Sequence, residues 1–156
     1  MLTVDINCAV DTETPAVDEL QRWAIAAYQT QETAEVALSI VDAKQMTSLN
    51  HQFRAKNSAT NVLSFPSDAQ ALDGVLHLGD IILCADVIQN EAAQQHKPVT
   101  AHWAHMVVHG MLHLQAYDHA NNSDAEKMES LEIDIMQALG FPNPYLPVHT
   151  AAEAKQ

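Results

Sequence analysis

His109-Gly110-Met111-Leu112-His113-Leu114-Gln115-Ala116-Tyr117-Asp118-His119 is the stretch on which the reading of this chain turns. His109 and His113 are four residues apart. On a helix their imidazoles leave the same face one turn apart, with Cβ atoms roughly 5–6 Å from each other. Two ring nitrogens so placed can converge on one metal ion at about 2.0–2.1 Å each. For His119 to return to the same ion, the helix must end near residue 114 or 115 and the chain must turn there. Five of the nine histidines fall between His102 and His119. Single histidines on a helix are mostly ordinary surface or core residues, but three at this spacing point to a metal site.

The spacing is that of the long zincin signature H-E-x-x-H-x-x-G-x-x-H, with two departures. Gly110 stands in place of the glutamate that activates water for peptide hydrolysis, which argues against a protease. Ala116 stands in place of the turn glycine. A glycine inside a helix costs about 0.8–1.0 kcal/mol relative to alanine, so Gly110 calls for a compensating reason. Close approach of another backbone, or room for a substrate, would supply one. His105 competes with His119 for the third position. His105 and His113 lie about 12 Å apart along a helix axis and cannot both reach one small ion. The choice falls on His119, because Tyr117-Asp118 accompanies it in a turn. Asp118 can orient a ligand imidazole or bond its own backbone. Three neutral histidines leave a divalent ion its full charge and an open fourth position, as in catalytic zinc sites. Cys84 remains open as a fourth ligand.

Outward from this stretch, the chain reads as one small domain. Residues 3–10 alternate, with Val4, Ile6, Cys8 and Val10 on one side of a strand. Thr14-Pro15 opens a helix to about residue 29. A second strand is expected over 35–41, and Asp42 caps a helix with Met46, Leu49 and Phe53 on one face. Residues 55–60 read as loop, followed by strands from Thr60 to Phe65 and from Val75 to Cys84. Helices follow over about 86–95 and 100–114. Ser123-Asp124-Ala125-Glu126 matches a capping box for the last helix, which turns Met128, Leu131, Ile135 and Leu139 inward and ends at Gly140. The order predicts a mixed α/β or α+β fold, with a sheet of about four strands, about five packed helices and a zincin-like metal helix. Residues 1–147 are expected to form a single catalytic domain, and 148–156 a flexible tail.

Composition sets the setting. At 156 residues and 47% apolar, the chain can bury one core. It has no apolar run of 18 residues and no secretory pattern at its first residues, so neither a membrane span nor export is expected. Cys8 and Cys84 both sit in strand-like runs and read as buried, reduced thiols, in keeping with the cytoplasm. The net charge of −13 repels nucleic acid at long range. Any contact with RNA must rest on a metal and on local cations, of which Arg54 and Lys56 lie two residues apart. His77 reads as structural or partly exposed, on the strand face opposite Leu76 and Leu78. Lys56, Asn57, Asn61 and Ser64 can line a nucleic-acid path, or serve as plain loop and strand-end residues.

The segment from His109 to His119 resembles the signature of the YbeY family of single-strand-specific endoribonucleases, H-G-x-L-H-L-x-G-Y-D-H, with Ala116 in place of its second glycine. Leu49-Asn50, Phe53-Arg54, Thr60-Asn61-Val62-Leu63-Ser64-Phe65-Pro66 and Leu78-Gly79-Asp80-Ile81 resemble further blocks of that family. Met128 and Glu132 fall where its last helix carries M-x-x-x-E. The resemblance spans about residues 49–141. It implies an α/β fold with one zinc ion on His109, His113 and His119. It also implies cleavage of single-stranded precursor ribosomal RNA, chiefly at the three-prime end of the small-subunit RNA, and ribosome quality control. Arg54 maps onto the family arginine that binds or neutralises the RNA phosphate, with Lys56 beside it. A guanidinium suits that task because it clamps a phosphodiester bidentately, although a cation there also suits a helix C-terminus. The expected partners are single-stranded RNA and the small ribosomal subunit or one of its proteins. Two alternatives stay open: a zincin-like protease or other metal-dependent hydrolase, and a non-catalytic ribosome-assembly factor that zinc holds together.

Overall fold

The computed structural model describes residues 1–54, 58–67, 74–117 and 121–146, with Arg54 described through its backbone. The expected tail, 148–156, lies outside the described residues. The elements run β1 (Leu2–Cys8), α1 (Val17–Ala27), β2 (Ala34–Val41), α2 (Ala43–Arg54), β3 (Val62–Pro66), β4 (Leu76–Cys84), α3 (Ala85–Gln94), α4 (Val99–Leu114) and α5 (Asn122–Ala138). The strands form one mixed sheet in the order β1-β2-β4-β3. β1 and β2 are parallel, as are β2 and β4, while β3 runs antiparallel to β4 at the edge. The expected sheet of four strands with five helices is what the described residues form.

Period-two alternation sorts the strand residues between two cores. Val36, Leu38, Ile40, Ile81 and Leu83 face the larger one, with α1, α3, α4 and α5. Val41, Leu63, Phe65, Ile82 and Cys84 face a smaller one, closed by Met46 and Leu49 of α2. Phe53, expected on the same inward face, is instead 57% exposed and meets Phe65 edge-on. Cys84 is buried as expected, and burial pushes its thiol pKa up. Cys8 corrects the expectation: it ends β1 exposed, beyond the cover that buries Leu2 and Val4.

α4 occupies the centre. It packs on α1, α3, α5, β3 and β4, and it is buried almost all round. Its sequence explains this, because Trp103, Met106, Val107, Met111 and Leu112 make every side apolar except the histidine stripe. Fully burying each such side chain contributes about 1.5–3 kcal/mol. Two glycines allow close approaches, Gly79 between β3 and β4 and Gly110 between α4 and the sheet. Gly79 has φ +136°, and a Cβ there would stand 2.2 Å from the Phe65 carbonyl oxygen. It lies at a bulge, where Glu35 pairs with His77 and Val36 with Gly79. A Cβ on Gly110 would stand 3.0 Å from Ile81 Cγ2 and 3.3 Å from Ser64 Oγ. The compensating reason for Gly110 is thus close packing against two side chains of the sheet. A glutamate at that position would point into the sheet.

Three helices end in the same way. Tyr117 N–H donates to the Leu112 carbonyl at 3.0 Å, and Ala116 N–H donates to the His113 carbonyl at 3.1 Å. This is a Schellman turn with its left-handed residue at Ala116, φ +74°. His96 (φ +55°) and Gly140 (φ +93°) hold the equivalent positions after α3 and α5. Two expected helix starts shift. α5 is capped by Asn121, whose side chain accepts from Asp124 N–H, so Ser123 lies inside the helix. α1 starts at Val17, and Glu19 accepts from Ala16 N–H at 3.1 Å. No helix among the described residues is long and apolar enough to cross a membrane.

Candidate metal centre

α4 presents His105, His109 and His113 on successive turns of one stripe. The His109 and His113 rings lie 4.5 Å apart at 78°, and their Nε2 atoms face each other at 3.0 Å. Two ligand nitrogens at about 2.0–2.1 Å from a tetrahedral ion would be roughly 3.3–3.4 Å apart. The observed pair is therefore within a few tenths of an ångström of a chelating geometry.

The other nitrogen of His109 is held from α5. Glu132 is fully buried and shares the inward face of α5 with Met128 and Ile135. His109 Nδ1–H donates to Glu132 Oε1 at 3.2 Å. His105 Nε2–H and the Tyr145 hydroxyl both donate to Oε2, the latter at 2.8 Å. Burial alone would raise the Glu132 pKa. The hydrogen bonds from His105 and His109 outweigh that and bring it down to about 2. Glu132 is thus an anion that His109 can face only with Nδ1 protonated, which in the neutral ring leaves Nε2 as the lone-pair nitrogen. A carboxylate behind the distal nitrogen of a ligand histidine is a recurrent feature of metal sites. Burial, together with the neighbouring Glu132, raises the Tyr145 phenol pKa, so it stays a donor.

His105, His109 and Glu132 bring one ligand atom each within 4.8 Å of one another, so this trio can also hold a metal ion. Access differs between the two arrangements. His109 and His113 line an open cleft of about 670 Å³, whereas His105 faces a small cavity beneath the segment around Pro144. Cys84 belongs to the second core and is not in the metal-capable group found among the described residues.

The cleft is walled by residues 58–64 and Pro66 on one side and by α4 and its closing turn, Ala116 and Tyr117, on the other. In a chain with 20 Asp and Glu, its described lining contains no carboxylate. A phosphate can therefore enter without meeting a like charge in that lining. Asn61 and Ser64 line it, and both are engaged within the protein. Asn61 Nδ2 donates to Glu91 Oε1 at 3.1 Å, and Ser64 Oγ donates to the Gly110 carbonyl at 3.2 Å. Asn50, buried and lining the cleft, donates to the Ser58 carbonyl at 2.8 Å and so ties Ser58 to α2.

Of the sequence-derived site residues, the structure brings His109 and His113 together. Lys56, Asn57, Asp118 and His119 lie outside the described residues. Arg54 closes α2, so its backbone alone is placed. His77 pairs with Glu35 on the sheet, partly exposed, as expected. Two residues of the centre are not assigned to it by the sequence, where Glu132 appears only in the M-x-x-x-E of the last helix. Glu132 carried a usable signal, a charged residue on the inward stripe of a helix. Tyr145, among three prolines, carried none.

The family model described as Endoribonuclease YbeY matches residues 5–140. The fold is similar to the solution structure of TM1509 from Thermotoga maritima, with a TM-score of 0.54 and 20% identity over 90% of this chain and 92% of that one.

Proposed function

This chain belongs to the YbeY endoribonuclease family, and from that premise we propose that it is a zinc-dependent, single-strand-specific endoribonuclease of ribosomal RNA maturation. Its substrate would be precursor RNA at the three-prime end of the small-subunit RNA, with a further part in ribosome quality control. Residues 1–147 would act as one catalytic domain in the cytoplasm, in contact with the small subunit or one of its proteins.

The observation that carries the reading is the 3.0 Å approach of His109 and His113 Nε2 at the wall of a cleft free of carboxylates in its described lining. His109, His113 and His119 would hold the metal, and Asp118 would orient a ligand ring. A zinc ion there supplies Lewis acidity toward a phosphodiester and lowers the pKa of water. The chain's own part is to bind and orient. Arg54, with Lys56 beside it, would clamp the scissile phosphate and offset its developing charge. Glu132 keeps His109 Nε2 aprotic. The cleft wall from Ser58 to Ser64 would guide the RNA strand to the histidines. The packing of Gly110 onto Ile81 and Ser64 weighs against protease chemistry, because a glutamate base has no place there.

The test is cleavage of a labelled RNA with one single-stranded and one duplex region. It is run on the protein as isolated, after chelation, after zinc is returned, and on His113→Ala. Cleavage confined to the single strand, lost on chelation and in the variant and restored by zinc, is expected. Zinc-loaded protein that cleaves nothing, even with small subunits added, would sink the enzymatic reading in favour of an assembly factor.

A further inference from the structure

One of the three donors on Glu132 comes from outside the region that the family model matches. Tyr145 lies beyond residue 140, where that match ends. Its hydroxyl donates to Glu132 Oε2 at 2.8 Å. Its ring stands edge-on to His105, centroids 5.3 Å apart at 84°. The segment that carries it is tied down from α3's end, where Lys97 Nζ donates to the Pro144 carbonyl at 2.7 Å.

The loading of the carboxylate is unequal. Oε2 takes both Tyr145 and His105, and Oε1 faces His109 Nδ1. A carboxylate free to rotate about its last bond would offer either oxygen, at variable angle, to His109. Two donors from different directions on Oε2 fix its plane and aim Oε1. His109 is then held as the Nδ1–H tautomer, with its Nε2 turned toward His113 Nε2. Tyr145 is poorly placed to act as mere core filling, since it is 43% exposed while its hydroxyl reaches a fully buried anion.

We propose that Tyr145 is a positioning residue of the metal centre: through Glu132 it locks the His109 ring in the tautomer and orientation that a divalent ion requires. The proposal rests on the metal-centre reading above. It makes the post-helix segment part of the site and not a trailing end.

The experiment measures zinc affinity of the full chain by competition with a chromophoric chelator, for wild type, Tyr145→Phe, Glu132→Gln and the control Leu146→Ala. Nitrogen chemical shifts of the His109 ring in metal-free protein report the tautomer. Tyr145→Phe should bind zinc about tenfold more weakly, the low end of the effect of removing such partners. Its His109 shifts should move from pure Nδ1–H toward a mixture. Its metal-free melting temperature should fall by only a few degrees, the cost of one hydrogen bond of about 1 kcal/mol. Glu132→Gln should weaken binding further, and Leu146→Ala should not change it. Wild-type zinc affinity and an unmoved tautomer in Tyr145→Phe would overturn the proposal. So would a loss of affinity that merely accompanies a larger fall in metal-free melting temperature. A wild-type chain that binds no zinc would bring down the metal-centre reading itself, and this proposal with it.

Discussion

Replacing Ala116 by glycine should stabilise the protein, although it deletes a methyl group. Ala116 has φ +74°, in the left-handed region. There the Cβ of an L-residue crowds the following carbonyl and costs roughly 1–2 kcal/mol. Glycine removes that cost. It also gives the unfolded chain more freedom, which takes back about 0.4–1 kcal/mol. Ala116 is exposed, so little packing is lost with the methyl. The net gain is about 0.5–1 kcal/mol. For a domain of this size, that is a rise in melting temperature of roughly 1–4 °C. Gly140 supplies the mirror experiment. It holds the same Schellman position at φ +93°, and nothing lies within 4 Å of where its Cβ would be. Gly140→Ala should lose what Ala116→Gly gains. Urea unfolding of both variants, with and without zinc, gives the midpoints, and an unchanged slope shows that the unfolded state is comparable. If Ala116→Gly leaves the midpoint where it was or lowers it, while Gly140→Ala behaves as expected, then Ala116 is not left-handed in solution. The account of the turn that ends α4 would then be wrong.

Gly79→Ala should be far more harmful than Gly140→Ala, because its Cβ would stand 2.2 Å from a backbone oxygen. Strain and overpacking of about 1–3 kcal/mol each take much of a typical margin of about 5–15 kcal/mol, so the variant should be largely insoluble or melt many degrees lower. A near-normal melting curve would contradict the packing of β3 on β4. The pH dependence has two windows. Burial lowers the pKa of His102 below 6.5, against the opposing hydrogen bond to Glu91. Folded His102 therefore resists the proton that the unfolded chain takes up, so its contribution is full above pH 6.5 and falls as pH drops below that value. In metal-free protein, the loss of stability between pH 7.5 and 5.5 should be smaller in His102→Gln; equal slopes in the two proteins would refute it. Glu132 acts lower: its stabilisation is present above pH 4.5 and is lost as pH falls toward about 2. Glu132→Gln should flatten that second limb of the acid unfolding curve, and an unaltered limb would argue against an ionised carboxylate there.

What could be read from the residues was what depends on near neighbours in the chain. The four-residue spacing of His109 and His113 sets their geometry through the helix alone. The alternation of β2 and β4 sorts their side chains between two cores. The sites that escaped depend on distant parts of the chain. Glu132 becomes the hub of the centre only because α5 crosses α4 at that height. His105 looked like a rival ligand from its spacing, and its engagement by Glu132 could not be seen without that crossing. Gly110 was legible as an anomaly, but its reason lay in Ile81 and Ser64. The cap of α5 was misplaced because Ser123-x-x-Glu126 and Asn121-x-x-Asp124 are both competent caps, and only tertiary placement selects the second.

The burial of α4 has a consequence for how such a protein can change over generations or on a design bench. In many enzymes the scaffold tolerates repacking while loops carry the chemistry. Here the same helix supplies reactive groups on one stripe and ballast on every other. A substitution at Met111 or Val107, made for stability, shifts the axis from which the imidazoles hang. Drift should therefore be slower along α4 than at exposed positions away from both cores. Attempts to redirect the chemistry have most freedom at Ser58 and Thr60, which line the cleft and belong to neither core.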